Sequence, residues 1–249
     1  MTTPTFISML RVKNEARWLS RVLIPLVRLC SRVYVFDDHS TDSTREIILS
    51  TPNTTYLPSP FTGLDERRDK NYLLDRIYEG LSIETLECGV WVLCIDGDEE
   101  MEETGPERIK VQLDPKELAY TFRVVYLWDS PELERIDGIY GHLTRPSMFR
   151  LDRSGLKFAN SLIQGNLHCM SVPEGFVGKS KPMDVRLYHY GYMLAEDRKR
   201  KYEFYNSVDP GNRMEDGYRH VIQGDKGGVG AGERLQWAGP LKVQKLEKR

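Results

Sequence analysis

The chain has 249 residues, 40% hydrophobic and 29% charged, with 20 Gly and 13 Pro. This is ordinary globular composition, and it argues against disorder, a collagen and a coiled coil. A net charge of −2 gives the chain as a whole no bulk attraction for nucleic acid.

The charge is unevenly spread. Residues 226–249 carry +4 and the other 225 residues −6, so an acidic body precedes a basic tail. The tail is either a solvated end or a segment that meets something anionic. The longest strongly apolar run, residues 90–95, is far short of the roughly 20 residues of a membrane helix. Arg11, Lys13 and Glu15 come too early for a secretory leader. Four cysteines without a C-x-x-C pair suggest neither a zinc ribbon nor a disulfide framework, and fit a reducing, cytoplasmic setting.

In chain order, residues 6–10 read as a buried strand. Trp18, Leu19, Val22, Leu23 and Leu26 then mark one face of a helix. Pro25 is expected to kink or split that helix. Residues 33–36 form a second strand, stopped by the turn chemistry of Asp37-Asp38-His39-Ser40-Thr41-Asp42, where Thr41 or Asp42 caps a short helix at 43–49. A weak third strand at 54–57 precedes a Pro-containing loop. The clearest helix follows at 65–81, with Leu73, Leu74, Ile77, Tyr78 and Leu81 on one stripe, and residues 90–95 make the fourth strand. Strand and helix alternating in this way predict a parallel sheet with right-handed crossovers and a ligand site beyond the carboxyl ends of its strands. In the second half, strands are expected at 119–127 and 146–151, another around 166–170, and a basic helix near 197–205. Gly-rich residues 224–232 read as flexible.

Three polar segments end the strands: Arg11 to Glu15, Asp37 to Ser40, and Asp96 to Glu99. Asp96 and Asp98 alternate on an extended segment and so face one side. Asp96, Asp98, Glu99, Glu100, Glu102 and Glu103 crowd six carboxylates into eight residues. Such a run needs solvation or a hard cation such as Mg²⁺ or Mn²⁺, and its other reading is an acidic loop capping the next helix. Asp38, left over from capping, can accept from the N–H of a uracil ring or from a ribose hydroxyl. Trp128 is a flat ring able to stack on a sugar. Asp129, Glu132 and Glu134 beside it are alternative general bases. Arg198-Lys199-Arg200-Lys201 is either a solvated helix face or a contact for an anion. His189 is either a hydrogen-bonded core histidine or a metal ligand.

Residues 9–15 (MLRVKNE), 35–44 (VFDDHSTDST) and 91–100 (WVLCIDGDEE) resemble the three signature segments of family 2 glycosyltransferases with the GT-A fold. The resemblance implies an α/β, Rossmann-like architecture: a central, mostly parallel sheet with helices on both faces and a mixed C-terminal half. Residues 1–103 would be the nucleotide-sugar-binding half, 104–225 the acceptor and metal-completing half of the same domain, and 226–249 the flexible basic tail. It further implies an NDP-sugar donor, often a UDP-sugar, a divalent cation (Mn²⁺ or Mg²⁺) and usually inversion at the anomeric carbon. By position, Asp38 resembles the base-reading acid, Asp96 the acid at the ribose or sugar, and Asp98 the metal ligand. Leu10, Arg11, Asn14 and Glu15 would line the nucleotide pocket, and Arg67, Lys70 and Asn71 would contact the donor.

Further on, Ser147 to Leu151, Asn166 to Cys169 and Tyr188-His189-Tyr190-Gly191-Tyr192 follow the order seen in bacterial lipopolysaccharide-core-type glucosyltransferases. This implies that His189 joins Asp98 and two phosphate oxygens around the cation. His168-Cys169 stands where that subgroup has His-Glu, so the expected carboxylate base is missing there; His168 has a core or an acceptor-site role. The implied acceptor is a glycan or lipid-linked sugar, with contact at a membrane surface as an option. A modified DNA base is a second acceptor option, and a non-catalytic nucleotide- or sugar-binding module a second function. The oligomeric state is left open. No Gly-rich loop follows the first strand, which argues against a nucleotidyltransferase and a dinucleotide dehydrogenase.

Overall fold

The computed structural model describes residues 4–151, 155–159, 169–176, 178–209, 218–222 and 241–247. Its first half alternates β1 (Thr5–Val12), α1 (Leu19–Leu29), β2 (Arg32–Asp37), α2 (Thr44–Ser50), β3 (Thr54–Pro58), α3 (Glu66–Glu79), the short α4 (Ile83–Glu87) and β4 (Val90–Cys94). The second half holds β5 (Glu99–Met101), α5 (Gly105–Gln112), β6 (Ala119–Trp128), β7 (Ser130–Arg135), β8 (Thr144–Leu151), β9 (Ser180–His189), α6 (Ala195–Val208) and β10 (Val243–Lys245).

The strands join into one sheet with the path β10-β7-β6-β8-β4-β1-β2-β3, and β9 lies between β5 and β6 off that path. β3, β2, β1 and β4 are parallel. β8 then runs antiparallel to both β4 and β6. This is the α/β, Rossmann-like layout with a parallel first half and a mixed second half that the sequence predicts, and it is consistent with the GT-A fold.

Both faces of the central strands are buried, so those strands read as continuous apolar runs rather than alternating ones. In β4, Trp91 and Leu93 point to the side of α1, where Leu19, Val22, Leu23 and Leu26 pack. Val90, Val92 and Cys94 point to the side of α3, against Leu73, Leu74 and Ile77. β1 divides in the same way: Phe6 and Leu10 face one layer, Ile7 and Met9 the other.

Several local expectations are corrected. Pro25 lies buried within α1, which continues through it as one helix. Asp42 does receive the Thr44 N–H, at 3.0 Å, but Ser43 is the cap residue. Part of the acidic run is strand β5 rather than a loop. Residues 128–134 belong to the β6–β7 hairpin, with Asp129 at its turn in a left-handed conformation of φ 61°. Residues 223–240, which include the Gly-rich segment expected to be flexible at 224–232, and residues 166–168 of the strand expected at 166–170 lie outside the described residues; Val243–Lys245 pairs antiparallel with β7 as β10.

The layout positions a site. β2 and β4 flank β1 on opposite sides, so the chain leaves β1 in one direction and later returns in the other; the carboxyl ends of such strands bound a crevice. β5 pairs with β9 in the register Glu99 to His189, and β9 pairs with β6 in the register His189 to Tyr126. These two pairings carry His189 to the end of β4, about ninety residues away in the chain.

Leu74 is fully buried on α3. Leu74→Ala is expected to lower the unfolding free energy by about 2–5 kcal/mol, whereas Ile24→Ala on the exposed face of α1 should change it by about 0.5 kcal/mol or less. Urea denaturation of both variants checks the assignment of the two faces.

Candidate functional site

A cavity of about 570 Å³ opens at the carboxyl ends of β1, β2 and β4. Its floor comes from Arg11 of β1, from Lys13, Asn14 and Glu15 in the loop after it, from Asp38, and from Asp96-Gly97-Asp98. The loops after β1 and β2 are tied together. The Asn14 side-chain carbonyl accepts from the Thr41 N–H at 2.7 Å, Thr44 Oγ1 accepts from the Glu15 N–H at 2.9 Å, and Asp42 Oδ2 accepts from the Ala16 N–H at 3.1 Å. Gly97 is required where it stands, because a Cβ there would come within 2.7 Å of Val12 Cγ1.

Arg11 bridges two carboxylates, donating to Asp38 Oδ2 at 2.6 Å and to Asp69 Oδ2 at 2.8 Å. Lys13 adds a contact to the same Asp38 oxygen at 3.4 Å. Asp69, wholly buried on α3, is held from its other side by Arg68. The acid just after β2 is thus fixed through a cation of β1 to an acid of α3.

The six-carboxylate run is resolved residue by residue. Asp96 accepts from Arg145 of β8 at 3.1 Å, and the same guanidinium pairs with the buried Glu99. Glu100 accepts from Arg21 of α1 at 3.1 Å and from the Tyr190 hydroxyl at 2.6 Å. Glu102 faces Arg108 at 3.5 Å. Only Asp96 and Asp98 of the six line the cavity.

Burial pushes the Glu99 carboxyl up to about 7 against the pull of Arg145. Burial also opposes ionisation of Asp96, but Arg145 and then Lys70 outweigh it and hold it below the usual carboxylate range. Asp98 lies well below that range. Burial again opposes ionisation, but the Lys201 ammonium, 2.6 Å from Oδ2, and His189 dominate. Burial drives His189 down to about 4 despite the Asp98 charge, so its imidazole is neutral at pH 7.

His189 Nε2 lies 3.7 Å from Asp98 Oδ2, and its ring is packed between Tyr126 and Tyr192 with centroids 4.5 and 4.8 Å away. Its Nδ1 is buried without a hydrogen-bond partner among the described residues. A neutral imidazole and an ionised carboxylate oxygen at this separation on one cavity wall fit a divalent cation that takes its remaining ligands from a bound anion. Among the described residues no three His, Cys, Asp or Glu side chains converge; Asp98 and His189 are the two that would hold such a cation.

The wall beside this corner is aromatic and basic. Tyr126 of β6, Tyr192, Phe204 and Tyr205 line it with Arg200 and Lys201 of α6. Glu66 and Lys70 come from α3. Lys70 donates to the Cys169 and Met170 carbonyls, both at 3.3 Å, and Glu66 accepts from the Cys169 N–H at 3.1 Å. Burial raises Glu66, and burial with the Asp98 charge pushes Glu15 up to about 8.

Of the residues singled out in the sequence, Arg11, Asn14, Glu15, Asp38, Lys70, Asp96, Asp98 and His189 line this one cavity. Leu10 is core, packed on the α1 side of the sheet. Arg67 is exposed and off the cavity. Asn71 serves structure, exchanging two hydrogen bonds with the Phe158 backbone. His168 lies outside the described residues.

Asp129, Glu132 and Glu134 do not line the cavity. Asp129 accepts from Arg198 at 2.8 Å, Glu132 is exposed, and Glu134 accepts from Gln244 of β10 at 2.7 Å. Trp128 cannot stack on a sugar: it is 0% exposed, with the guanidinium of Arg198 4.0 Å and that of Arg135 4.7 Å from its ring centre. Sequence reasoning missed Arg145, Glu66, Tyr126 and Tyr205. Each is a single polar residue in an ordinary helix or strand and carries no local signal.

No family model matches the chain. Two uncharacterized proteins, from Mycobacterium bovis and Mycobacterium tuberculosis, are each 26% identical over 225 residues, covering 84% of this chain and 51% of the relative. The chain therefore spans about half the length of the curated relatives it matches. Among solved structures, Staphylococcus aureus TarS 1–349 in complex with UDP-GlcNAc is similar with a TM-score of 0.44 and 12% identity, over 88% of this chain and 70% of that one. Glucosyl-3-phosphoglycerate synthase from Mycobacterium tuberculosis, in complex with Mn²⁺, UDP and phosphoglyceric acid, gives 0.34 and 17% over 49% and 43%. 4-Diphosphocytidyl-2C-methyl-D-erythritol synthase gives 0.42 and 11% over 61% and 78%. Among the described residues no helix is long and apolar enough to cross a membrane.

Glu15 gives the site a pH signature. Its folded-state value of about 8 lies above the ordinary 4.5, so between these the folded chain holds a proton that the unfolded chain has lost. Stability contributed by that proton falls as pH rises from about 4.5 to 8. Glu15→Gln is expected to flatten the decline, gaining on wild type at pH 8 relative to pH 5.5 in urea denaturation. An unchanged pH profile would show that Glu15 ionises as an ordinary carboxyl.

Proposed function

We propose that the protein is a glycosyltransferase that moves a sugar from an NDP-sugar, with UDP as the preferred nucleotide, to an acceptor hydroxyl. The observation that carries this reading is one cavity holding Asp38, Asp96 and Asp98 at the ends of neighbouring parallel strands, ringed by Arg11, Lys13, Lys70, Arg145, Arg200 and Lys201. A nucleoside diphosphate needs both kinds of group: acceptors for its base and ribose, and cations for its phosphates. The cavity volume lies within the range of small-molecule sites.

In this reading Asp38, its Oδ2 fixed by Arg11 and Lys13, uses its other oxygen to accept from the uracil N–H or a ribose hydroxyl. Asp96, oriented by Arg145, contacts ribose or the donor sugar. Asp98 and His189 would hold Mn²⁺ or Mg²⁺, which when bound would offset the charge that develops on the leaving diphosphate. Lys201 and Arg200 add positive charge on the same side. The aromatic wall of Tyr126, Tyr192 and Phe204 receives the sugars.

A single displacement with inversion needs a base for the acceptor proton. Glu15 and Glu66 are placed for this role, since both line the cavity and burial brings both nearer to working pH than an ordinary carboxylate. A glycan or lipid-linked sugar is the acceptor class that the sequence resemblance implies.

Calorimetry with UDP and with GDP, in Mn²⁺ and in EDTA, tests the donor site. UDP is expected to bind in Mn²⁺ and to weaken in EDTA, and Asp98→Asn is expected to cost about 10–100-fold in Mn²⁺, the loss of one charged contact. Turnover of UDP-sugars, read as UDP release, should fall further in the Glu15→Gln or the Glu66→Gln variant than in Asp129→Asn. Absence of nucleotide binding under all conditions would exclude the reading.

A further inference from the structure

The Asp98 carboxylate has two neighbours with one claim on it. Lys201 Nζ lies 2.6 Å from Oδ2, and His189 Nε2 lies 3.7 Å from the same oxygen. A cation held between Oδ2 and the imidazole would sit beside the ammonium, and like charges that close repel strongly in a site shielded from water. Lys201 and a divalent cation therefore compete for one oxygen.

The lysine is built into this position. Gly191, in the turn after β9, leaves no room for a side chain: a Cβ would overlap Asp98 Oδ2 and Lys201 Nζ and come within 2.9 Å of His189 Cε1. The turn is held by the Tyr190 N–H donating to the Asp98 carbonyl at 2.9 Å. α6 is anchored by its neighbouring residues rather than by Lys201. Arg198 is buried and donates to the Tyr192 and Met193 carbonyls at 2.9 and 2.8 Å. Buried Asp197 accepts from Arg17 at 3.1 Å. The lysine itself is a four-carbon stem that can turn without moving the helix. Of its three N–H donors, Asp98 takes one among the described residues, and Lys201 lines the cavity where an anion could receive another.

We infer that Lys201 is an exchangeable counter-ion. It balances Asp98 while the donor is absent, and moves to the donor diphosphate when a divalent cation takes Asp98. This rests on the nucleoside diphosphate reading of the cavity and goes beyond it, because it couples the binding of the cation to that of the diphosphate. The cation alone is resisted by the ammonium, and the diphosphate relieves the conflict by giving Lys201 a new partner. Cation and diphosphate therefore bind together, each raising the affinity of the other.

The full chain is titrated calorimetrically with two probes: MnCl₂ alone, and UDP (then GDP) in saturating Mn²⁺. Lys201→Met is expected to bind Mn²⁺ alone about tenfold more tightly than wild type and the nucleotide about tenfold more weakly. Lys201→Arg, which keeps the charge, should retain most of the nucleotide affinity. The signature is the opposite sign of the two changes. A lysine with only a structural role would leave both affinities unchanged or lower both, and either result overturns the exchange. Tighter Mn²⁺ binding with unaltered nucleotide affinity also overturns it, because the ammonium would then repel the metal without serving the diphosphate. Wild-type protein that binds neither probe overturns the nucleotide reading itself. If circular dichroism shows Lys201→Met unfolded, Lys201→Gln carries the same two titrations.

Discussion

A buried carboxylate stays ionised only where a cation stands beside it, and this protein gathers its carboxylates at the ends of three parallel strands. The arrangement depends on each being matched from a different element. Arg11 of β1 serves Asp38 and Asp69, Arg145 of β8 serves Asp96 and Glu99, and Lys201 of α6 serves Asp98. The pairings cross-link β1, β2, α3, β4, β8 and α6 around one opening. The charges that make the cavity suited to a polar, anionic ligand also bind its walls to each other.

The Asp98–His189 corner shows how the second half completes the first. β1, β2 and β4 are sufficient to place Asp38 and the Asp96-Gly97-Asp98 turn. They do not bring a nitrogen ligand. That comes from β5, only three residues long, which pairs with β9 in the one register that sets His189 opposite Glu99. The same pairing buries Glu99 and turns Glu100 outward to Arg21, so a short strand sorts the acidic run into structural and cavity-facing members.

Much of this was legible in the sequence. β1, β2 and β4 are apolar on both faces, a pattern that only a covered parallel sheet explains, and their polar ends could be read directly as the crevice. Asp38, Asp96, Asp98 and His189 do meet there. The partners that charge-balance them were not legible. Arg145 lies 49 residues from Asp96 and 46 from Glu99, and a lone arginine in a strand has no local signature. Lys201 was visible only as one of four cations in a run. The structure divides that run, burying Arg198 against Trp128, exposing Lys199 and turning Arg200 and Lys201 to the cavity. Trp128 misled for the same reason: an aromatic beside acids suggests a sugar platform until the two guanidiniums that cover it are known.

The most direct measurement is a co-crystal structure with UDP and Mn²⁺, with the cation located by its anomalous signal. The account predicts a Mn²⁺ peak bonded to Asp98 and His189 Nε2, the diphosphate against Lys201, and the uridine over Asp38. A cation bound elsewhere, or UDP lying outside the crevice at the ends of β1, β2 and β4, would contradict it.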